Sequence, residues 1–165
     1  MTSSHTLLLL RHAEAESLRP GHPDHARRLT QRGREQARAV GDAIRSCDVV
    51  VEHVLCSTAT RARETLSELA LPATATVELL DALFTAGSDS ILKLIRSLPA
   101  EVGTALVVGH APGIPGTLYE LASPESADPA VWSRVAHRFP AATLARLRLR
   151  QPWTNLAAGS LTAVY

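Results

Sequence analysis

Apolar residues follow two rhythms along this chain, short continuous runs and longer stretches at helical spacing, and their alternation predicts α/β layers. His5 to Leu10 reads as a first strand, so uniformly apolar that both of its faces should be covered. Thr30 is placed to cap a helix over Gln31 to Cys47, with Ala37, Val40, Gly41 and Ile44 inward. Val51 to Cys56 reads as the second strand, followed by a helix capped by Ser57 or Thr58 that runs to about Leu69. Ala75 to Leu79 is the third strand candidate, and Ser88 caps a helix with Ile91, Ile95 and Leu98 inward. Thr104 to Val108 is the clearest later strand, and a helix with Leu118 and Leu121 follows the turn after it. Ser123 to Pro129 reads as an exposed loop. Ala142 to Leu149 alternates as a half-exposed strand would, and Ser160 to Tyr165 closes the sheet.

Composition narrows the class. At 165 residues and 45% hydrophobic content, residues 1–165 form one domain able to bury about two thirds of its unfolded surface. The net charge of +1 gives no support for nucleic-acid binding. Leu7 to Leu10 is too short to span a membrane and lacks the flanks of a signal peptide, so neither membrane nor export is expected. Cys47 and Cys56 have no metal-ligand spacing and read as buried, reduced thiols, which fits a cytoplasmic protein.

Three strand-to-helix junctions carry the chemistry. They are Arg11-His12, Arg61 in the segment Ser57 to Ala62, and His110 after Gly109. In a parallel sheet, these junctions gather at one rim, where helix N-termini add N–H groups and partial positive charge. A guanidinium that stays charged beside an imidazole that titrates near neutrality suits an anionic substrate that a histidine attacks or protonates. The predicted pocket is cationic.

Four segments, in order, resemble the histidine phosphatase superfamily: Arg11-His12-Ala13-Glu14, Leu29 to Ala37, Ser57 to Thr65, and Val107 to Gly113. The short chain is most similar to the bacterial phosphohistidine phosphatase branch. The resemblance implies a phosphoglycerate mutase-like fold, a single-domain three-layer sandwich whose mostly parallel central sheet carries helices on both faces. It also implies that His12 attacks phosphorus and forms a phosphohistidine intermediate that water hydrolyses. Arg11 and Arg61 would clamp the phosphoryl oxygens, and protonated His110 would donate to one of them. No metal and no cofactor is implied.

The chain departs from the family pattern at three places. Ala13 stands where glycine is common, and Ala111 where asparagine is common; both bear on substrate fit rather than on the clamp. Mutase-like relatives also supply a glutamate acid after the third strand, where this chain has Thr85. Glu78 and Asp81 are the nearby candidates for general acid. Without such an acid, a good leaving group is favoured, because a phosphoramidate needs less protonation help than an alkoxide. The expected substrate is therefore a phosphorylated protein bearing phosphohistidine, with a small phosphorylated metabolite as the alternative.

Other readings compete with this one. A metal-dependent hydrolase would use His12, Glu14, His22, Asp24 and His25 as ligands, although their spacing matches no helical ligand pattern. A pocket that only holds a phosphorylated ligand is a second alternative. His5, His53 and His137 read as packing or surface residues. His22 and His25 read as exposed or at the pocket rim, Arg27 and Arg28 as a solvated charge pair, and Glu14 and Glu16 as structural.

Overall fold

A computed structural model describes residues 4–165. Its sheet holds β1 (His5–Arg11), β2 (His53–Ser57), β3 (Thr76–Leu80), β4 (Thr104–Gly109), β5 (Leu144–Leu149) and β6 (Ser160–Val164). Their order is β3-β2-β4-β1-β5-β6. The first four strands are parallel, while β5 and β6 add antiparallel partners at the β1 side.

The uniform apolarity of β1 has the expected cause. Leu8 and Leu10 pack with Val40 and Ile44 of α1 (Gln31–Ser46) and Ala62 of α2 (Thr60–Glu68). Leu7 and Leu9 join the opposite core, with Ile91 and Ile95 of α3 (Ser88–Arg96) and Ile114 and Leu118 of α4 (Gly113–Leu121). Helices thus cover both faces of the sheet.

The connections place a crevice between two strands. The chain leaves β1 toward α1 on one face and leaves neighbouring β4 toward α4 on the other. Ligands bind at such switch points in open α/β sheets.

Several predicted boundaries move for local reasons. Thr30 does cap α1, accepting from Gly33 N. Ser57 instead ends β2, and Ala59 begins α2 without a side-chain cap. Gly87 precedes α3, and the Ser88 hydroxyl turns to Glu120. The segment expected as a loop from Ser123 contains a short turn at Pro124–Ser126, and Asp128 then caps α5 (Pro129–Ser133). Cys56 is buried, its thiol pushed up to about 12 by desolvation, whereas Cys47 is only half-buried, with Sγ 2.9 Å from the Tyr165 hydroxyl.

Candidate active site

β1 and β4 end side by side, Arg11 pairing with Gly109, so the next residues of both strands meet at the crevice. His12 N donates to Gly109 O at 2.9 Å, and the His12 and His110 rings lie 5.0 Å apart. Arg61, in the first turn of α2, reaches the same place and donates from Nε to His12 Nε2 at 3.2 Å. Arg11 is anchored by Nη1 to Phe139 O at 2.8 Å. Its charge acts on both histidines. The fold thereby brings together all four residues singled out at the strand ends.

His12 is held in one tautomer. Its Nδ1 lies 2.7 Å from Ala13 O, a carbonyl that can only accept, so the proton sits on Nδ1 and the lone pair on Nε2. Ala13 N in turn donates to Thr65 Oγ1 at 3.0 Å, and that hydroxyl donates to Arg61 O at 2.7 Å. Thr65, four residues after Arg61 on the same helix face, ties the loop that follows His12 to the helix of Arg61. Sequence reasoning gave Thr65 no role of its own, although a threonine one turn after a candidate clamp arginine was a usable signal.

Electrostatics correct one expectation. Burial, with the nearby Arg61 and Arg11 charges, lowers His12 to about 4. Burial and the neighbouring His12 lower His110 to about 3. His110 is therefore neutral near pH 7, not protonated. It keeps one ring N–H. Its Nε2 is 2.8 Å from Ser57 Oγ, which accepts from Ala59 N at 3.3 Å and keeps its own proton to donate. On that assignment the ring carries its hydrogen on Nδ1.

Among the described residues, the only buried side-chain nitrogens or oxygens without a partner are Arg11 Nε and His110 Nδ1. Both belong to this crevice. Buried polar atoms are nearly always satisfied, so two orphans at one place point to an acceptor supplied from outside. A cavity of about 390 Å³ opens beside His110, lined by Asp24, Arg61, Phe84, Thr85, His110 and Pro112 among others.

Neither candidate acid lines this cavity. Glu78 sits on the exposed edge strand and bonds His53 Nε2 at 2.5 Å, near the N-terminal end of β2 and away from the rim that holds the histidines. Asp81 accepts from the Thr58 hydroxyl and does not line the cavity. Thr85 does line it, which leaves the usual acid position without a carboxyl group.

The proposed metal ligands also separate. Glu14 accepts from the Thr30 hydroxyl, His22 is exposed beside Pro20 O, and His25 bonds Thr58. Asp24 receives Arg27 and Arg61. Among the described residues, no three His, Cys, Asp or Glu side chains are placed to hold a metal ion. Arg27 and Arg28 are not a solvated pair. Arg27 binds Asp24 and Glu16 O, whereas Arg28 binds Glu64.

The model of the histidine phosphatase superfamily (branch 1) matches residues 7–84. An uncharacterised Mycobacterium tuberculosis protein is 35% identical over 155 residues, covering 94% of this chain and 96% of its own. The structure of a putative phosphohistidine phosphatase SixA from Nakamurella multipartitia is 38% identical, covers 98% of this chain and 95% of its own, and superposes with a TM-score of 0.87. The chain belongs to the histidine phosphatase superfamily. A second putative phosphohistidine phosphatase SixA, from Agrobacterium tumefaciens, is 28% identical over 88% of this chain and 92% of its own, with a TM-score of 0.79.

This histidine phosphatase has the phosphoglycerate mutase-like α/β fold expected from its sequence. Its described residues include no helix long and apolar enough to cross a membrane.

Proposed function

We propose that this phosphatase hydrolyses phosphohistidine on a protein through a covalent intermediate on His12, without a metal. The Nδ1 contact of His12 carries this reading, because it presents the Nε2 lone pair between Arg61 and His110. Attack in line forms the Nε2–P bond as the leaving group departs; water then attacks phosphorus and His12 is released. Arg11 and Arg61 hold the nonbridging oxygens, and the His110 N–H donates to one of them. Fixed donors of this kind supply most of the stabilisation in phosphoryl transfer.

The missing acid supports the choice of substrate. Thr85 lines the cavity, Glu78 and Asp81 are committed elsewhere, and a phosphoramidate makes the smallest demand for a proton at its leaving atom. The similarity to the Nakamurella and Agrobacterium proteins, each a putative phosphohistidine phosphatase, supports the same choice. This reading places the enzyme in the bacterial cytoplasm, as a single domain over residues 1–165.

The deciding experiment uses the purified protein treated with a chelator. It should hydrolyse a phosphohistidine protein faster than a panel of phosphate monoesters, and acid-labile phosphate should be trapped on His12 during turnover. Dependence on added metal, or faster turnover of a sugar phosphate, would refute the proposal.

A further inference from the structure

The cavity beside His110 carries a charge that a phosphate clamp does not call for. Its lining includes one carboxylate, Asp24, together with the apolar surfaces of Phe84, Ala86 and Pro112. A carboxylate next to a dianion-binding site opposes phosphate binding unless it serves another part of the substrate.

Asp24 is held in place from several directions. Oδ1 accepts from Arg27 Nε at 2.7 Å, Oδ2 from Arg61 Nη2 at 3.0 Å, and the backbone carbonyl from Arg61 Nη1 at 2.8 Å. The next residue fastens the same turn. His25 Nε2 lies 3.0 Å from Thr58 Oγ1, whose proton goes to Asp81, and the His25 ring meets Phe84 edge-on at 4.9 Å.

Burial alone would raise the Asp24 carboxyl, but Arg27 and Arg61 outweigh it and hold the group below the usual carboxylate range. It is an anion near neutrality and has no proton to give a leaving group. Each carboxylate oxygen keeps a further acceptor site after one hydrogen bond. The side chain is 42% exposed, so those sites are open to a bound molecule.

We infer that Asp24 is a specificity-determining residue: its carboxylate accepts an N–H from the leaving group, selecting protonated nitrogen bases on phosphorus over anionic phosphate esters. This inference rests on the phosphatase reading of the site. In the step concerned, the His12 Nε2 lone pair forms a bond to phosphorus and the P–N bond breaks, its electron pair returning to the substrate ring. The proton on the far ring nitrogen stays there, hydrogen-bonded to Asp24. Imidazole therefore leaves neutral, with no proton transfer from an enzyme acid. Phe84, which lines the same cavity, adds apolar surface beside such a ring.

The rival account is that Asp24 only positions Arg61, and the two differ in what a substitution does to substrate choice. Asp24→Asn should lower the ratio of kcat/KM for N-phosphoimidazole to that for phenyl phosphate by roughly ten- to a hundredfold, the scale of one charge-assisted hydrogen bond. An unchanged ratio overturns the inference, whether both rates fall together or neither does. Asp24→Glu, which keeps the charge, should retain part of the preference.

The wild-type enzyme gives a second measurement. A phenyl phosphate with a para aminomethyl group should show a lower KM than one with a para carboxylate, and equal or reversed values overturn the inference. Failure of the wild-type enzyme to hydrolyse any of these probes would instead overturn the phosphatase reading on which it rests.

Discussion

Arg61 Nε donates to His12 Nε2 across 3.2 Å, joining two residues that lie 49 positions apart in the chain. This contact marks the lone pair of the nitrogen that attacks phosphorus in the proposed mechanism. In that mechanism a phosphoryl oxygen offers the guanidinium a charged acceptor in place of the imidazole, so that substrate binding would both fill the clamp and free His12 Nε2. His12→Ala should abolish turnover and acid-labile labelling. Arg61→Ala should lower kcat/KM about a hundredfold or more, the typical scale for losing one such donor. Steady-state rates and phosphate labelling of the purified variants test both, and near-normal turnover by either removes that residue from the mechanism.

Thr65 governs the geometry around that contact. Thr65→Val keeps the shape but leaves the buried Ala13 N–H without its acceptor, which costs about 1–3 kcal/mol of stability. Ala13 O also orients His12 Nδ1, so kcat should fall more than KM changes. Thr65→Ser restores the hydroxyl and should recover most of the rate. Equal behaviour of the Ser and Val variants would show that the hydroxyl has no positioning role.

Gly113 sets the wall of the cavity. A Cβ there would lie 2.2 Å from Ala86 O and 2.9 Å from Ile91 Cδ1, so α4 would have to move from the segment that lines the site. Gly113→Ala should therefore destabilise the protein by about 1–3 kcal/mol, as overpacking does. Gly116→Ala is the control, because its Cβ would meet nothing closer than 3.4 Å. It should be neutral or stabilising by up to about 1 kcal/mol, through helix propensity. Thermal unfolding of the two variants should separate them; matching Tm values would refute the argument.

Acid should weaken the fold through the same two histidines. His12 and His110 are lowered from 6.5 to about 4 and about 3, so the native state keeps them neutral where the unfolded chain binds protons. Their contribution is fully present above pH 6.5 and is lost as pH falls toward and through the folded values. A double variant, His12→Gln with His110→Gln, should show a shallower fall of Tm between pH 6.5 and about 4 than the wild type. Parallel curves would assign the acid sensitivity to other groups.

What was legible in the sequence had local causes. The run Leu7 to Leu10 announces a strand covered on both faces, and the observed cores use alternate leucines of it on opposite sides. Thr30 before a helical pattern announces a cap, and it caps. The residues that follow β1 and β4, and the arginine in the first turn after β2, were readable as a cluster because parallel strands end on one rim.

The uses of the carboxylates were not readable, since each depends on a partner far along the chain. Glu78, a candidate acid by position, faces His53 because of the β2–β3 register, and Asp24, weighed only as a metal ligand, reaches Arg61 across 37 residues. Neutral His110 likewise follows from burial and a neighbouring imidazole, which no linear pattern records. Sequence alone determined the strands, the helices and the rim at which Arg11, His12, Arg61 and His110 gather, because periodicity and strand-end chemistry are local. Tertiary structure decided which charges meet there and which protons they hold, because Coulomb and desolvation energies depend on distances that only the folded chain defines.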